Sequence, residues 1–188
     1  MMQKYNPKWG MGDIIIKDRT GEGVINDEDR TVIGNSIPRF TFGLNLGFEY
    51  KGFDFSCFFQ GVGKADGYVT MEAIQPMGIN GARKEHYKES FNPQDPKPGA
   101  YFPHILSSDY NYAYMSHWVQ DASYIRLKNL QIGYSFKIKG LNQLRVYASG
   151  ENLFTATKYR TWDPETPVGA RGFYPNVAVY SMGVNLNF

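Results

Sequence analysis

The sequence has a single cysteine, almost no net charge and few histidines. Cys57 is alone, which excludes an intrachain disulfide framework and a cysteine-based metal cluster. With 20 basic and 18 acidic residues the net charge is +2, so electrostatics give no reason to expect a nucleic-acid partner. The three histidines, His86, His104 and His117, lack a metal-ligand spacing such as HExxH, and no serine lies in a nucleophile elbow. We therefore expect that the protein is not an enzyme.

Long apolar runs are also missing. No segment has about 18 consecutive apolar residues, which excludes a membrane-spanning helix. A membrane β-barrel is not excluded, because its strands are short and alternate between apolar and polar residues. Residues 1–7 lack the basic region and the apolar core of a secretory signal. If the protein is exported, we expect this chain to be a mature product or a fragment.

Aromatic residues and glycines are abundant. Aromatic residues make up 16% of the chain, with 14 Tyr and 13 Phe, and they are typical of strands and of the girdles that barrels place at membrane interfaces. The 20 Gly and 10 Pro favour turns and long loops. The composition therefore favours an all-β protein with long connections.

Apolar and polar residues alternate most clearly in segments 40–50 and 178–188. Because successive side chains of a strand point to opposite faces, each segment has one apolar and one polar face. The polar faces carry mainly glycine and small amide or hydroxyl side chains. A membrane-barrel strand needs this pattern over roughly 9–11 residues, with the apolar face toward lipid and the polar face toward a watery lumen.

Together with weaker alternation elsewhere, this pattern predicts five strands, which begin near residues 39, 53, 123, 144 and 176. The apolar residues change phase near Lys128 and Asn129, which predicts a bulge or a rim there. Barrels of this kind begin at about eight strands, and open edges would leave backbone groups unpaired in hydrocarbon. We therefore predict an antiparallel transmembrane β-barrel, of which this chain holds about five C-terminal strands.

The connections between these strands alternate between short and long. Outer-membrane barrels have short periplasmic turns and long extracellular loops. Residues 1–38 are therefore predicted to form an extracellular loop, and residues 39–188 to form the barrel part, which contains a very long loop at residues 61–122. The alternative is a soluble β-sandwich module that binds carbohydrate or calcium, since its strands would alternate in the same way.

Segment 18–29 has the spacing of a twelve-residue calcium loop, with Gly23 at the tight-turn position. The predicted oxygen donors for Ca²⁺ are Asp18, Thr20, Glu22, the carbonyl of Val24, Asn26 and Asp29. Two of these depart from the usual pattern, because Thr20 replaces a carboxylate or amide and Asp29 is shorter than the usual Glu. The alternative is an acidic surface turn that is held by hydrogen bonds between its own side chains and backbone.

A series of different short motifs runs along most of the chain. They lie at residues 12–35, 38–40, 50–54, 58–61, 122–130, 150–155 and 163–165, at Tyr159 and at the terminal Phe188. Taken together and in this order, they resemble the C-terminal part of TonB-dependent transporters of the SusC/RagA type. Within segment 18–29, which we call the acidic loop, Thr20 and Glu22 depart from the pattern of that family, and these departures bear on the family's metal site.

The resemblance implies a barrel of about 22 strands with an N-terminal plug. It implies a bacterial outer-membrane importer for oligosaccharides, peptides or other nutrients, which is surrounded by membrane lipid and driven through TonB. A lipoprotein of the SusD type would cover its extracellular mouth. The rest of the barrel and the plug would be further partners, so this chain should not transport by itself.

A ligand of such an importer would meet the extracellular loops and the lumen face. Aromatic rings stack on sugar rings, and polar side chains bond to hydroxyl groups. The candidate ligand-binding residues are Tyr110, Tyr112, Trp118, Tyr159, Trp162 and Asp163. The alternative for each is packing within its loop or contact with the covering lipoprotein.

Overall fold

The computed structural model describes residues 9–69, 71–76, 81–96, 98–105, 109–166 and 174–188. The strands in these ranges are β1 (Phe40–Tyr50), β2 (Phe53–Gly63), β3 (Asp66–Tyr68), β4 (Val119–Asp121), β5 (Tyr124–Phe136), β6 (Gln143–Thr157) and β7 (Val179–Asn187). Two short helices, α1 (Met71–Ile74) and α2 (Lys84–Glu89), lie between β3 and β4. No helix in the described ranges has the length and the hydropathy that crossing a membrane requires.

Five strands form one antiparallel sheet in the order β1-β2-β5-β6-β7, and β3 pairs with β4 in a separate small sheet. The first four strands of the large sheet begin at Phe40, Phe53, Tyr124 and Gln143, each within one residue of the position that alternation predicted. The last strand begins at Val179, three residues later than predicted. The predicted all-β antiparallel architecture is confirmed, and the described sheet is open.

The register of the large sheet places apolar side chains in rows, because directly opposite residues of antiparallel strands share a face. One such row contains Phe48, Phe55, Ile132, Ala148 and Met182. At the two edge strands these side chains are open to solvent, with exposed fractions of 55% for Phe48 and 91% for Met182. The apolar face is therefore uncovered there, whereas the β-sandwich alternative requires a second sheet to bury it.

The chain divides into two compact units. A loop unit comprises Met1–Gly34 and Val69–Val119, and a sheet unit comprises Asn35–Tyr68 and Gln120–Phe188. The sequence analysis placed a boundary between residues 38 and 39. The structure divides the chain after residue 34 instead, and it groups the first 34 residues with the long connection. The long connection is also shorter than predicted, since β2 continues to Gly63.

Aromatic rings form the core of the loop unit. Trp118 is fully buried and stacks on Tyr112 at a centroid distance of 6.1 Å, while Tyr101 meets Trp118 edge-on at 5.7 Å. Trp9 stacks on Tyr110 at 5.1 Å. Each such ring removes a large apolar area from water, which explains why a connection of this length is ordered in its described parts.

Asn111 ties the N-terminal segment to this core. Its side chain is fully buried; Oδ1 accepts a hydrogen bond from the backbone N–H of Ile14 at 2.8 Å, and Nδ2 donates to Asp13 at 2.8 Å. The backbone carbonyl of Asn111 accepts a bond from the indole N–H of Trp118 at 2.8 Å. The buried amide is thereby satisfied on both sides, as a buried polar group must be.

Candidate functional site

The polar face of the large sheet is reorganised at Lys128. Asn129 pairs with Phe58, and Leu127 pairs with the next residue of β2, so Lys128 is one extra residue in β5. This bulge reverses the side-chain phase and places Arg126 on the polar face. Without the bulge Arg126 would lie on the apolar face, where a charged side chain is costly if that face meets lipid. The bulge predicted from the sequence is therefore confirmed.

Arg126 is the centre of an ion-pair cluster on this face, and its side chain is only 2% exposed. Its Nη2 donates to both carboxylate oxygens of Asp163, at 2.9 and 2.7 Å, and its Nε donates to the Thr155 hydroxyl at 2.8 Å. Its Nη1 lies 3.3 Å from a carboxylate oxygen of Glu165. A buried guanidinium requires such partners, so the loop between β6 and β7 is held against β5.

Glu165 connects the same loop to three further groups. The Lys128 ammonium lies 2.7 and 2.9 Å from its two oxygens, and the Tyr124 hydroxyl donates to it at 3.1 Å. The Asn176 side-chain amide donates to it at 2.6 Å. Two cations and two carboxylates are thus paired within one cluster, and segment 159–165 rests on the sheet as a fixed strap.

Three predicted ligand-binding residues lie in this strap. The Asp163 side chain is only 8% exposed and is engaged by Arg126. The Tyr159 ring is also 8% exposed and lies over Gly67, where an added Cβ would come within 2.7 Å of the ring. Trp162 is half-buried. The structure therefore brings the three residues together, but it gives Asp163 and Tyr159 partners within the protein.

The other three predicted ligand-binding residues lie in the loop unit. Trp118 and Tyr112 are 0% and 2% exposed, within the aromatic core. Burial raises the pKa of Tyr110 above its usual value, and the nearby Asp13 charge adds to this shift. These contacts match the packing alternative, and ligand contact by these residues stays a prediction.

In the acidic loop, Asp29 accepts hydrogen bonds from the backbone. One oxygen accepts from the N–H groups of Arg19 at 2.6 Å and Thr20 at 3.1 Å, and the other accepts from the N–H of Asn26 at 3.0 Å. These bonds, with that from Asn26 as the largest contribution, hold the pKa of Asp29 below its usual value. Asp29 therefore closes the loop on itself.

Asp18 has the same role at the other end of the loop. Its two oxygens accept from the N–H groups of Gly21 at 2.6 Å and Gly23 at 2.8 Å. Glu22 and Val24 are exposed. Within the described ranges, no group of three or more His, Cys, Asp or Glu residues is arranged to hold a metal ion. This geometry matches the alternative of a self-bonded turn, and Ca²⁺ binding stays a prediction.

A second ion pair lies on the polar face near the β1–β2 turn. Arg145 Nε donates to Asp54 at 2.9 Å, and its Nη2 approaches the other carboxylate oxygen. The pair spans β5 above Gly133, where an added Cβ would lie 2.5 Å from the carboxylate. An open recess of about 940 Å³ begins here, and its polar lining includes Ser56, Gln131, Gln143 and Arg145.

Sequence reasoning did not identify the cluster of Arg126, Lys128 and Glu165. The signal that could have found it is the phase change in β5, because two basic residues fall where the apolar pattern breaks. The partner carboxylates are 37 residues away in the sequence, so their pairing follows from the sheet and the strap.

Comparison with curated proteins finds TonB-dependent receptors. The TonB-dependent receptor P3 of Formosa agariphila is 34% identical over 196 residues, which covers 94% of this chain and 19% of that protein. The TonB-dependent receptor SusC of Bacteroides thetaiotaomicron is 27% identical over 182 residues, which covers 91% of this chain and 17% of SusC. The chain thus spans about a fifth of the length of the curated relatives it matches. A scan against protein-family models found no match.

Comparison with solved structures finds the RagAB peptide importer. In its open-open state the TM-score is 0.66 at 26% sequence identity, and the match covers 82% of this chain and 18% of that chain. A structure described as the RagAB peptide transporter matches with the same TM-score at 25% identity. These relatives are receptors and importers rather than enzymes, and they share the antiparallel sheet described above.

Proposed function

This chain belongs to the TonB-dependent receptors of the SusC/RagA type, and from that premise we propose that it forms part of the wall of an outer-membrane nutrient importer. The observation that carries the proposal is the set of apolar rows on one face of the sheet. In the row of Phe48 and Met182 both side chains are more than half exposed, and lipid would cover them. The opposite face carries the ion pairs and amides that suit a watery lumen.

The edges of the sheet support its place in a larger barrel. In the described ranges, β1 pairs only with β2, and β7 pairs only with β6. Unpaired backbone groups cannot remain in hydrocarbon, because each costs several kcal/mol. Both edges therefore require further strands, and we assign the chain to the C-terminal part of a barrel of about 22 strands, as the motif order indicates.

The importer would act with partners outside this chain. The similarity to SusC and to RagAB supports a plug within the barrel, a covering lipoprotein of the SusD type, and an outer-membrane location. Energy would come through TonB, which we expect to contact a part of the receptor that lies outside these residues. The ligand would be an oligosaccharide or a peptide, which would meet the lumen face and the extracellular loops.

Calcium binding remains a separate proposal. The acidic loop offers oxygen atoms from Asp18 and Asp29, but these atoms already accept backbone N–H bonds. A bound Ca²⁺ would have to share the same oxygens. We therefore place any calcium affinity in the weak range of extracellular modules, roughly 10⁻⁴–10⁻³ M.

Spin labels test the orientation of the sheet. Single cysteines would be placed along β1 in the full natural receptor within outer-membrane vesicles, in a background where Cys57 is replaced by Ser. We expect Leu44, Leu46 and Phe48 to contact dissolved oxygen in lipid, and we expect Asn45 and Gly47 to contact a water-soluble nickel reagent. Equal accessibility at adjacent positions would contradict the proposed membrane wall.

A further inference from the structure

The two short turns of the sheet meet at one end. The backbone N–H of Ser135 in β5 donates to the carbonyl of Gly52 in the β1–β2 turn at 2.7 Å. The turn that follows β5 is closed by a hydrogen bond from Leu141 N–H to the Ile138 carbonyl at 3.1 Å. The two hairpins therefore present one continuous rim, which we call the turn rim and define as residues 50–53 and 134–143.

Aromatic residues cover the apolar side of the turn rim. Tyr50 pairs with Phe53, and Phe53 pairs with Tyr134, so the three rings lie side by side on one face. Phe136 contacts Tyr134 edge-on at 4.7 Å. Tyr50, Tyr134 and Phe136 are all exposed, at 66%, 43% and 43%. Tyrosines placed in this way suit the boundary between hydrocarbon and lipid head groups.

The turn rim also carries a concentrated positive charge. Its charged residues are Lys51, Lys137 and Lys139, all three are exposed, and its sequence contains no acidic residue. The Lys51 ammonium lies 5.2 Å from the centre of the Tyr50 ring, which holds it next to the apolar face. The nearest acidic residues in sequence, Glu49 and Asp54, alternate to the polar face, where Asp54 is paired with Arg145.

We propose that the turn rim binds the head groups of anionic phospholipids in the periplasmic leaflet. Exposed rings anchor the rim at the interface, and the flexible lysine side chains extend to the phosphate level while their methylenes stay near the apolar face. Each lysine near a charged membrane surface strengthens binding about fivefold, so three strengthen it about 10²-fold. Among the described residues, no acidic side chain is within ion-pair distance of these three lysines, so their charge is available to an anionic lipid.

This inference rests on the proposed membrane wall, and the experiment separates the two. The full receptor would be reconstituted in vesicles of phosphatidylcholine alone or of phosphatidylcholine mixed with phosphatidylglycerol. Heat-modifiable migration of the receptor on SDS gels reports whether it has inserted into each kind of vesicle. The phosphatidylglycerol that is retained per receptor, after transfer to mild detergent, reports head-group binding by native mass spectrometry.

The test compares three variants, each of which carries three substitutions. We expect Lys51→Gln/Lys137→Gln/Lys139→Gln to weaken phosphatidylglycerol retention about 10²-fold, with the loss diminishing at high salt. The matched control Lys17→Gln/Lys84→Gln/Lys88→Gln removes the same charge from exposed positions of the loop unit and should retain the lipid. A third variant with arginine at the three rim positions should also retain it.

Each remaining outcome decides against part of the proposal. Equal retention by the rim variant and by the control variant would overturn the lipid site while leaving the inserted wall intact. If inorganic phosphate alone displaces the lipid, the rim is a general anion site and the assignment to phospholipid is wrong. Failure of the wild-type receptor to insert in either vesicle would overturn the proposed function, and the lipid site with it.

Discussion

Arg126 of β5 and Asp163 of the β6–β7 loop are joined through one guanidinium nitrogen, which donates to both carboxylate oxygens at 2.9 and 2.7 Å. Both side chains are nearly buried. The bulge at Lys128 is what turns Arg126 toward this carboxylate. Local irregularity in one strand therefore fixes the position of a loop that follows the next strand.

Replacement of Arg126 by Gln should release the strap. Loss of one partner from a buried ion pair typically costs about 3–5 kcal/mol, because the remaining charge stays buried and unpaired. Trypsin should then cleave after Lys158 and Arg160 much faster in outer-membrane vesicles, since both residues are exposed and lie beside or within the strap that Arg126 holds. N-terminal sequencing of the fragments would locate the cleavage.

The control for this prediction is Arg145→Gln, which removes the other ion pair of the polar face at the turn end. It should leave cleavage after Lys158 and Arg160 unchanged. If Arg126→Gln and wild-type receptor are cleaved at the same rate, the strap does not depend on Arg126.

A lysine on the apolar face should destabilise the receptor in the membrane. Leu46 lies in the middle of β1 on that face, and a charged residue at the midplane of a barrel costs about 2–4 kcal/mol. The measurement is the urea concentration at which half of the Leu46→Lys receptor is unfolded in vesicles. The folded fraction is read from its heat-modifiable migration on SDS gels. Asn45→Lys, which faces the other side, is the control, and an equal loss in both variants would reject the assignment of the faces.

Gly133→Ala should break the ion pair between Asp54 and Arg145. An added Cβ would lie 2.5 Å from the carboxylate and 2.7 Å from the guanidinium, so one partner must move. Overpacking of this kind costs about 1–3 kcal/mol, which urea unfolding in vesicles can measure. Gly47→Ala is a matched control on the same face, because its Cβ would make only an ordinary contact at 3.4 Å.

The acidic loop should open at low pH. The pKa of Asp29 is held below its usual value in the folded loop, so the stabilisation is present at neutral pH and is lost as the pH falls through that lowered pKa. Hydrogen exchange of the amides of Arg19, Thr20 and Asn26, corrected for intrinsic rates, should lose protection only below the usual carboxyl pKa of about 3.9. Asp29→Ala, which removes both acceptor oxygens, should lose it at every pH, and protection that is independent of both changes would contradict the assigned role.

Calcium should affect the same amides if the loop binds it. At roughly 10⁻³ M Ca²⁺, hydrogen exchange at Arg19 and Asn26 should slow, because the ion would hold Asp18 and Asp29 in place. Asp18→Asn should abolish this effect, while magnesium serves as the control for nonspecific charge screening. An unchanged exchange rate in saturating Ca²⁺ would leave the loop as a self-bonded turn.

The strands could be predicted because their information is local. Alternation with a period of two depends only on neighbours in the sequence, so the starts of β1, β2, β5 and β6 agree with the structure within one residue. The bulge was predictable for the same reason, since the phase change at Lys128 is visible within a few residues. The predicted start of β7 was less accurate, because Val177 and Ala178, in the loop that precedes the strand, are also apolar.

The candidate site was less predictable, because its contacts join distant parts of the chain. Tyr112 and Trp118 suit a sugar-binding platform by residue type, yet they form the core of the loop unit. Asp163 suits a hydroxyl-binding residue, yet Arg126 engages it from 37 positions away. Residue type gives the chemistry that a side chain can perform, but only its neighbours decide whether it is available.

The sequence by itself determined the strands, their two faces and the resemblance to a family of transporters, since periodicity and motif order are written along the chain. The tertiary structure alone decided which charges are paired and which are exposed. It closed Asp163 and Glu165 into a neutral cluster with Arg126 and Lys128. Among the described residues, it left the lysines of the turn rim outside any ion pair. The physical reason is that the energy of a charge depends on what surrounds it in space.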